Sequence, residues 1–381
     1  MNITITIDEL EIGGAQRIVC ELAKYLDKKK YKLTIICIDG KVDSFLEREM
    51  LNEQKLGNLN IVFLKKSILS YINTPSKSLN RIIKRLLRFI SELLMLPSLC
   101  KEIKKSNPDI VHAHQRGILA GYWTLFNKIP MIATVHTAPS VTFFREYEKI
   151  IFYLLVKYKR IVLVAISAYN LELIKNYWHL NEDSACFINN GINTNDFFQN
   201  PHETFTFINA SRQDKNKNQS LILRAFSRFY FENTSCSLKL FLVGAGDTHE
   251  ALKKEADKLG IGKLVEFTGY VKSPKDYLAL SDVYVSSSHR EGLSLSVLEA
   301  MAAGLPIIAT DAGGVRDLAR ENGILIADND EEGLLAAMKK LMYNRELRHT
   351  MGQKSLEMVK AYSIAEMTNK YAALYEKIAG Q

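Results

Sequence analysis

Two glutamates, Glu291 and Glu299, stand eight residues apart around the start of a predicted helix, with Gly292 in the turn between them. Ionised carboxylates accept hydrogen bonds from hydroxyl groups, so such a pair can hold a sugar. The spacing therefore predicts a carbohydrate site. A capped helix with two surface glutamates is the alternative.

The backbone at this turn is a candidate anion site. An apolar run at 283–287 predicts a strand, and the following helix is expected to begin near Ser294. The first N–H groups of a helix have no intrahelical partner, and the helix dipole favours negative charge beside them. We therefore expect the amides of Leu293, Ser294 and Leu295 to face a phosphate group.

A pair of basic residues follows another predicted strand, at 205–210. Arg212 and Lys217 lie five residues apart in a loop that leads to a helix. A guanidinium and an ammonium group that converge can neutralise a diphosphate leaving group. A solvated loop rich in lysine and asparagine is the alternative.

Glycines and a histidine follow other predicted strands. Gly14 opens the first helix, where backbone can approach a ligand closely. His136 follows the strand at 131–135 and is a candidate substrate contact, with a purely structural histidine as the alternative. Gly244 begins a Gly-x-Gly sequence, but the third glycine and the ribose-binding acid of a dinucleotide site are absent, which argues against NAD.

Neither a metal nor another cofactor is expected. Asp328 and Asp330 form a D-x-D sequence, but they precede a helix start, where acids favour the dipole, so we predict helix capping. No other cluster has metal-ligand spacing. The five cysteines lie far apart and predict buried, reduced thiols. The longest uncharged run, at 129–144, has 16 residues, which is too short to span a membrane.

The elements that position these residues alternate along the chain. Predicted strands and helices follow one another throughout, which is typical of parallel sheets with helices on both faces. A breaker at Asn189-Asn190-Gly191 separates two such runs in the 381 residues. We therefore predict an α/β protein with two doubly wound, Rossmann-like domains that face each other across a cleft.

The net charge of +8 is confined to one segment: residues 65–105 hold ten Lys or Arg and two acids. This predicts an anionic partner at one place on the surface. Within 79–94, leucines and isoleucines fall on one helical face, and a basic amphipathic helix of this kind is typical of a membrane-surface element. An ordinary helix packed on the sheet is the alternative. The basic residues of the opposite face are Arg81, Lys84, Arg85 and Arg88.

The chain resembles the retaining glycosyltransferases of family 4, which have the GT-B fold. The strongest match is the E-x7-E block from Glu291 to Glu299 with the following A-x-G-x-P run, Ala302-Ala303-Gly304-Leu305-Pro306. Two departures are Ser211 and Asn218, which stand where the family commonly has glycine. The supporting matches, in the family's order, are Gly13-Gly14-Ala15, Pro108-Asp109-Ile110-Val111-His112, His136, Asn190-Gly191-Ile192, Arg212 with Lys217, Val243-Gly244-Ala245-Gly246-Asp247 and Gly269.

The resemblance implies a role for each candidate residue. Glu291 would contact hydroxyl groups of the donor sugar, and Glu299 those of the ribose. Arg212 and Lys217 would hold the diphosphate together with the helix amides. His136 would touch the donor sugar near the reacting carbon.

The resemblance also implies a separate role for each domain. Residues 1–192 would bind the acceptor, and Gly14 would lie near the diphosphate. Residues 193–362 would bind the nucleotide-sugar. The base of the nucleotide would lie beside Tyr270 and Val271, and Gly244 would be part of the donor site. Residues 363–381 would form a helix that crosses back to the first domain.

The implied activity is that of a metal-independent hexosyltransferase. It would transfer a hexose or N-acetylhexosamine, with retention, from a nucleotide-sugar, most simply a UDP-sugar, to a hydroxyl of a lipid-linked saccharide. The setting would be bacterial polysaccharide or glycan biosynthesis, in the cytoplasm at the inner face of the cell membrane. The anionic membrane surface would be bound through residues 65–105.

Three other functions are compatible with parts of the sequence. A nucleotide-sugar epimerase or another GT-B enzyme such as a phosphorylase could share the fold, but the E-x7-E block argues against the epimerase. A non-catalytic anion-binding protein could explain the basic segment. Nucleic acid is not the expected partner, because only Tyr71 and Phe89 are interleaved with the basic residues and base stacking is poorly supported.

Overall fold

The computed structural model describes residues 1–11, 13–64, 81–136, 153–158, 161–181, 184–233 and 236–380. In the helix that begins at residue 81, it describes the side chains of residue 90 and of residues 92 onward. Most side chains of the amphipathic helix predicted at 79–94 are therefore not described. The first part of the basic segment, residues 65–80, lies outside the described residues.

The chain divides into two compact units. The first consists of residues 1–166, 171–189 and 367–381, and the second of residues 167–170 and 190–366. The end of the chain thus belongs to the same unit as its beginning.

The first unit is built on a sheet of seven parallel strands. In chain order they are β1 Asn2–Ile7, β2 Lys32–Cys37, β3 Asn60–Phe63, β4 Ile110–His114, β5 Met131–Val135, β6 Ile161–Ala165 and β7 Ala185–Phe187. Their order across the sheet is β3-β2-β1-β4-β5-β6-β7. All residues of β4 and β5 are buried, because helices cover both faces of a parallel sheet.

The second unit is built on a sheet of six parallel strands. They are β8 Phe205–Ala210, β9 Leu238–Val243, β10 Val265–Gly269, β11 Val283–Ser286, β12 Ile307–Thr310 and β13 Gly323–Ile326. Their order is β10-β9-β8-β11-β12-β13, so the direction of winding reverses between β8 and β11. Ligands of doubly wound sheets bind at this kind of switch point, beyond the carboxyl ends of the strands.

Helices fill the connections. Those between strands of the first sheet are α1 Gly14–Tyr25, α2 Phe45–Lys55, α3 Arg81–Ser106, α4 Gly121–Asn127 and α5 Ala168–Trp178, with a further helical segment at 153–157. Those between strands of the second are α6 Gln219–Glu232, α7 His249–Lys258, α8 Lys275–Leu278 and α9 Leu295–Ala302. The chain ends with α10 Glu331–Tyr343, α11 Arg345–Val359 and α12 Ile364–Ala379.

The predicted fold class is confirmed: two doubly wound parallel sheets are present. The strands predicted at 131–135, 205–210 and 283–287 end within one residue of β5, β8 and β11, because each is a short apolar run that is buried along almost its whole length. The prediction missed β7, a three-residue strand at the edge of the first sheet in which only Ala185 is buried.

Candidate active site

Two loops meet at the switch point of the second sheet. Strands β8 and β11 are paired, so the β8 loop (residues 211–218) and the β11 loop (residues 287–294) lie side by side. The N–H of His289 donates to the carbonyl of Asn216 (2.8 Å), and Nδ2 of Asn216 donates to the carbonyl of Arg290 (3.0 Å). The two loops therefore form one continuous surface.

Lys217 and Glu291 contact each other across these loops. Nζ of Lys217 donates to Oε1 of Glu291, and Oγ of Ser288 donates to the same oxygen (2.8 Å). The two charged side chains are only 19% and 11% exposed. Because these side chains are mostly buried, the charge-assisted hydrogen bond holds the ammonium and carboxylate groups in one geometry. The predicted diphosphate-binding lysine and the predicted sugar-binding glutamate thus form one polar centre.

Arg212 lies at the same edge of the sheet but is not fixed in this way. Its side chain is 77% exposed, and Nε donates to Oδ2 of Asp214 at 2.6 Å. Exposed ion pairs contribute little to stability, because water and salt screen them. The guanidinium can therefore exchange Asp214 for a phosphate oxygen at a small cost in free energy.

Buried polar side chains hold the β8 loop. Nδ2 of Asn209 donates to the carbonyl of Val285 (2.7 Å), and Oγ of Ser211 donates to Oδ1 of Asn209 (2.8 Å). Nε2 of Gln219 donates to Oγ of Ser211 (2.9 Å) and to the carbonyl of Arg212 (3.0 Å). Ser211, one of the two departures from the family pattern, is thus a link in a network that supports the arginine.

The other departure, Asn218, keeps the backbone conformation that a glycine would adopt. Its φ angle is +49°, in the left-handed region that glycine occupies freely and asparagine tolerates best among the other residues. Oγ of Ser287 donates to the carbonyls of Lys217 (2.8 Å) and Asn218 (2.9 Å). The loop therefore retains its turn without the glycine.

The start of α9 offers free backbone donors. The helix begins after Ser294, as predicted. Within the described part of the chain, no acceptor contacts the N–H groups of Leu293, Ser294 or Leu295. These N–H groups and the helix dipole form an arrangement that binds anions. Glu299 is buried inside the same helix, 4% exposed.

The loops after β9 and β10 complete this edge. Gly244 has φ +127°, and a Cβ atom there would lie 2.2 Å from the carbonyl oxygen of Ser211, so only glycine fits. Its N–H donates to the carbonyl of Gly269 (3.0 Å). Tyr270 follows with its side chain 54% exposed, and Val271 is half-buried.

Asp330 caps α10, as predicted: Oδ1 accepts from the N–H of Gly333 at 2.8 Å. Asp328 does not cap the helix, since Oδ1 bonds instead to Nδ1 of His289 at 2.7 Å. The described residues contain no group of three or more His, Cys, Asp or Glu that could hold a metal ion.

In the first unit, Gly14 is the exposed first residue of α1, and His136 directly follows β5. His114 pairs with Thr134 in the β4–β5 register, so His112, His114, Thr134 and His136 occupy one face of these strands. Burial lowers the pKa of His136 to about 4. Its imidazole is therefore neutral at neutral pH.

His112 has a structural role. Its Nδ1 lies 2.7 Å from the hydroxyl of Tyr375, and its Nε2 lies 2.8 Å from Oγ1 of Thr134. Thr134 also bonds to the hydroxyl of Tyr371 at 2.9 Å. Both tyrosines belong to α12, so this polar chain fastens the final helix to the first sheet.

Sequence reasoning missed a charged cluster at the carboxyl edge of the first sheet. The guanidinium of Arg116 donates to Asp39 and to Glu92 (3.3 Å), and its backbone N–H donates to Oδ1 of Asp8 (2.8 Å). Burial raises the pKa of Asp8 to about 6, although Arg116 opposes the rise. Asp8 and Asp39 lie just after β1 and β2, so their places at strand ends could have revealed them.

The described part of α3 has an exposed apolar surface. Ile90, Leu93 and Leu94 are 43%, 48% and 69% exposed, whereas Met95 and Leu99 are buried against the sheet. Exposed large apolar side chains that lie together often mark an interaction surface. No helix among the described residues is long and apolar enough to cross a membrane.

Comparisons with known proteins agree along most of the chain. The family model described as Glycosyltransferase Family 4 matches residues 12–196, and the one described as Glycosyl transferases group 1 matches residues 193–358. EpsD of Bacillus subtilis (strain 168), to which a glycosyltransferase function is provisionally assigned, is 33% identical over 177 residues, covering 45% of this chain and 46% of EpsD. The chain thus aligns with less than half of that relative.

Two further proteins align over almost their full length. The N-acetylgalactosamine-N,N'-diacetylbacillosaminyl-diphospho-undecaprenol 4-alpha-N-acetylgalactosaminyltransferase of Campylobacter jejuni is 24% identical over 373 residues, covering 94% of each chain. The crystal structure of HepE from Anabaena in complex with UDP has a TM-score of 0.78 and 16% identity, covering 99% of this chain and 100% of HepE. HepE has also been solved with UDP-glucose. Together with the two parallel sheets, these similarities show that the chain belongs to glycosyltransferase family 4 and has the GT-B fold.

Proposed function

We propose that this glycosyltransferase moves a hexose or N-acetylhexosamine from a UDP-sugar, with retention, to a hydroxyl of a lipid-linked saccharide in the biosynthesis of cell-surface polysaccharide or glycan. The contact between Lys217 and Glu291 carries the proposal. It joins a cation suited to phosphate and a carboxylate suited to sugar hydroxyls at the switch point of the second sheet.

The donor diphosphate binds between the β8 loop and the start of α9. Lys217 leaves Glu291 and binds the phosphate oxygens, and Arg212 leaves Asp214 and does the same. The free backbone amides of residues 293–295 also donate hydrogen bonds to these oxygens. Glu291, released from Lys217, then accepts hydrogen bonds from hydroxyls of the donor sugar. Glu299 accepts from the ribose, and the exposed ring of Tyr270 stacks beside the base with the backbone of Val271.

The chemistry is the departure of the diphosphate. The bond between the anomeric carbon and the phosphate oxygen breaks, its electron pair moves to that oxygen, and positive charge develops on the sugar. The acceptor hydroxyl attacks the same face, and its proton passes to the departing phosphate. Because Arg212, Lys217 and the helix dipole stabilise the negative charge that develops, the reaction needs no divalent metal.

Residues of the first unit complete the proposal. His136 contacts the transferred sugar, and the absence of a side chain at Gly14 lets the loop after β1 approach the diphosphate and the acceptor. The low pKa of His136 suits this role, because a neutral imidazole adds no positive charge beside a carbon that becomes cationic.

Two similarities support UDP and a lipid-linked acceptor. HepE binds UDP and UDP-glucose on the same fold, and the name of the Campylobacter jejuni relative specifies a diphospho-undecaprenol acceptor. A saccharide on such a carrier lies at a membrane surface. We propose that the exposed side chains of Ile90, Leu93 and Leu94 enter the membrane interface, with the basic residues of 65–105 on anionic headgroups. The enzyme would then work at the cytoplasmic face of the membrane.

The experiment is a transfer assay with a panel of UDP-, GDP-, ADP- and dTDP-sugars and an undecaprenyl-diphosphate-linked saccharide in vesicles. We expect turnover with a UDP-sugar, and NMR of the product should show an α-linkage from an α-linked donor. A β-linked product would contradict retention. Turnover confined to another nucleotide-sugar would contradict the assignment of UDP.

A further inference from the structure

His114 and His136 contact each other through their rings. Nδ1 of His114 lies 2.9 Å from Nε2 of His136, and the ring centroids are 5.2 Å apart at an interplanar angle of 29°. The contact follows from the pairing of β4 and β5. His114 pairs with Thr134, and His136 lies two residues after Thr134 on the same face, diagonally opposite His114.

The remaining ring nitrogens of the two histidines differ. Nε2 of His114 is buried and has no hydrogen-bond partner in the described part of the chain. Nδ1 of His136 also lacks a partner among the described residues, but it belongs to a half-buried side chain. His112, on the same face, has partners for both nitrogens and does not share this asymmetry.

This asymmetry decides where the protons are. In a neutral imidazole one nitrogen carries hydrogen and the other accepts. If Nε2 of His136 donated to His114, the hydrogen of His114 would sit on its Nε2 as a buried, unsatisfied donor, and such N–H groups are rare. If Nδ1 of His114 donates instead, every N–H that is buried has an acceptor, and the hydrogen of His136 sits on Nδ1.

We propose that His114 is a positioning residue that fixes His136 in the Nδ1–H tautomer, so that His136 presents a hydrogen-bond donor to a hydroxyl oxygen of the transferred sugar. This inference rests on the proposed function for the sugar, whereas the tautomer follows from the contacts alone. Burial also keeps the pKa of His114 well below its usual value, so His114 stays neutral and each ring of the pair carries one hydrogen.

The tautomer is measured directly by long-range ¹H–¹⁵N NMR of the full-length protein labelled with ¹⁵N-histidine. The chain has eight histidines, and the spectrum of a His136→Gln variant identifies the signals of His136. We expect a protonated Nδ1 and a bare Nε2 for His136 at pH 7. A protonated Nε2 in the wild type would overturn the proposal, whatever the activity of any variant.

Three variants test the role of His114. His114→Leu removes the donor, so His136 should lose its single tautomer and kcat should fall about tenfold, the effect of one hydrogen bond. His114→Asn places an amide N–H near the position of Nδ1 and should restore both. His112→Asn is the matched control, since it alters a buried histidine of the same strand and should leave the His136 tautomer unchanged.

The outcomes separate the two claims. An unchanged tautomer in His114→Leu would overturn the positioning role. If the tautomer shifts while His136→Gln transfers sugar at the normal rate, the contact with sugar is wrong, and that part of the proposal falls. Absence of transfer by the wild type with every donor would count against the proposed function, while the NMR result would still decide the tautomer.

Discussion

Lys217 donates a hydrogen bond to Glu291 although 74 residues separate them in the chain. The contact exists because β8 and β11 are neighbours at the switch point, which brings the ends of both strands to the same edge. Each residue neutralises the charge of the other. We propose that the partners exchange when the donor binds, so that the lysine contacts a phosphate and the glutamate contacts sugar hydroxyls.

We expect Lys217→Ala and Glu291→Gln each to lower kcat by roughly 10² to 10³, the range for the loss of one preorganised charge-stabilising group. Because each substitution also removes the partner of the other residue, the double variant should lose much less than the product of the two effects. Steady-state kinetics of all four proteins test this. Lys215→Ala is the matched control, an exposed lysine of the same loop that should retain full activity.

Near-normal rates in both single variants would contradict the assignment of the centre. Strictly multiplicative effects would show that the contact has no part in catalysis. Circular dichroism of each variant checks folding, which should survive because both side chains lie on loops.

Transfer should continue without a divalent metal. In the proposed donor site, protein cations and helix amides supply the positive charge that faces the phosphate, and Asp330 caps a helix. We expect the rate in EDTA to stay within about twofold of the rate in magnesium, and Asp328→Asn to retain activity. Complete loss of activity in EDTA that magnesium or manganese restores would refute metal independence.

The exposed leucines of α3 should govern membrane binding. A Leu93→Gln, Leu94→Gln double variant should bind anionic vesicles at least tenfold more weakly, because a buried leucine contributes about 1.5 to 3 kcal/mol. The fold should be kept, since Met95 and Leu99 face the core instead. Vesicle co-sedimentation measures the effect, and Leu56→Gln, which changes another exposed leucine of the same unit, is the control.

The basic residues of α3 should also contribute to binding of the anionic membrane surface. Changing four of them to Gln should weaken binding to anionic vesicles by up to ~4 kcal/mol, and added salt should weaken the wild type, because screening reduces each contribution of about 1 kcal/mol. Activity on a short soluble acceptor should not change. Vesicle binding that is unaffected by both sets of substitutions would show that α3 does not meet the membrane. The four residues are Arg81, Lys84, Arg85 and Arg88.

Acid should destabilise the first unit through its buried histidines. Burial lowers the pKa of His112 to about 3, against 6.5 when unfolded, so the folded state binds fewer protons. The contribution of His112 to the free energy of unfolding is therefore fully present above pH 6.5 and decreases as the pH falls. Between pH 7 and pH 5 the decrease is ~2 kcal/mol. The raised pKa of Asp8 acts in the opposite direction between about pH 6 and 4, so a difference measurement is needed.

Urea unfolding of wild type and His112→Gln at pH 7 and pH 5 gives that difference. Gln does not titrate, so the wild type should lose ~2 kcal/mol more than the variant over this range. Equal losses would show that His112 is not held neutral in the folded state.

The strands were predictable because each is a compact apolar run that ends in a turn, and most candidate residues were found because they stand directly after such a run. Strand β7 was missed because an edge strand of three residues with one buried side chain leaves almost no pattern. The contact of His114 with His136 depends on the register of β4 and β5, and that of Arg116 with Glu92 on how α3 packs. Such contacts are tertiary, so residue type and local spacing could not reveal them.

Calorimetric titration of UDP into the wild type, Lys217→Ala, Arg212→Ala and Lys215→Ala tests the donor site most directly. A charged hydrogen bond contributes about 1.5 to 3 kcal/mol, so each of the first two substitutions should raise the Kd for UDP by about 10- to 100-fold. Lys215→Ala should bind like the wild type. If UDP binds the Lys217 and Arg212 variants with wild-type affinity, the diphosphate does not lie between the β8 loop and α9, and the proposed donor site is wrong at its centre.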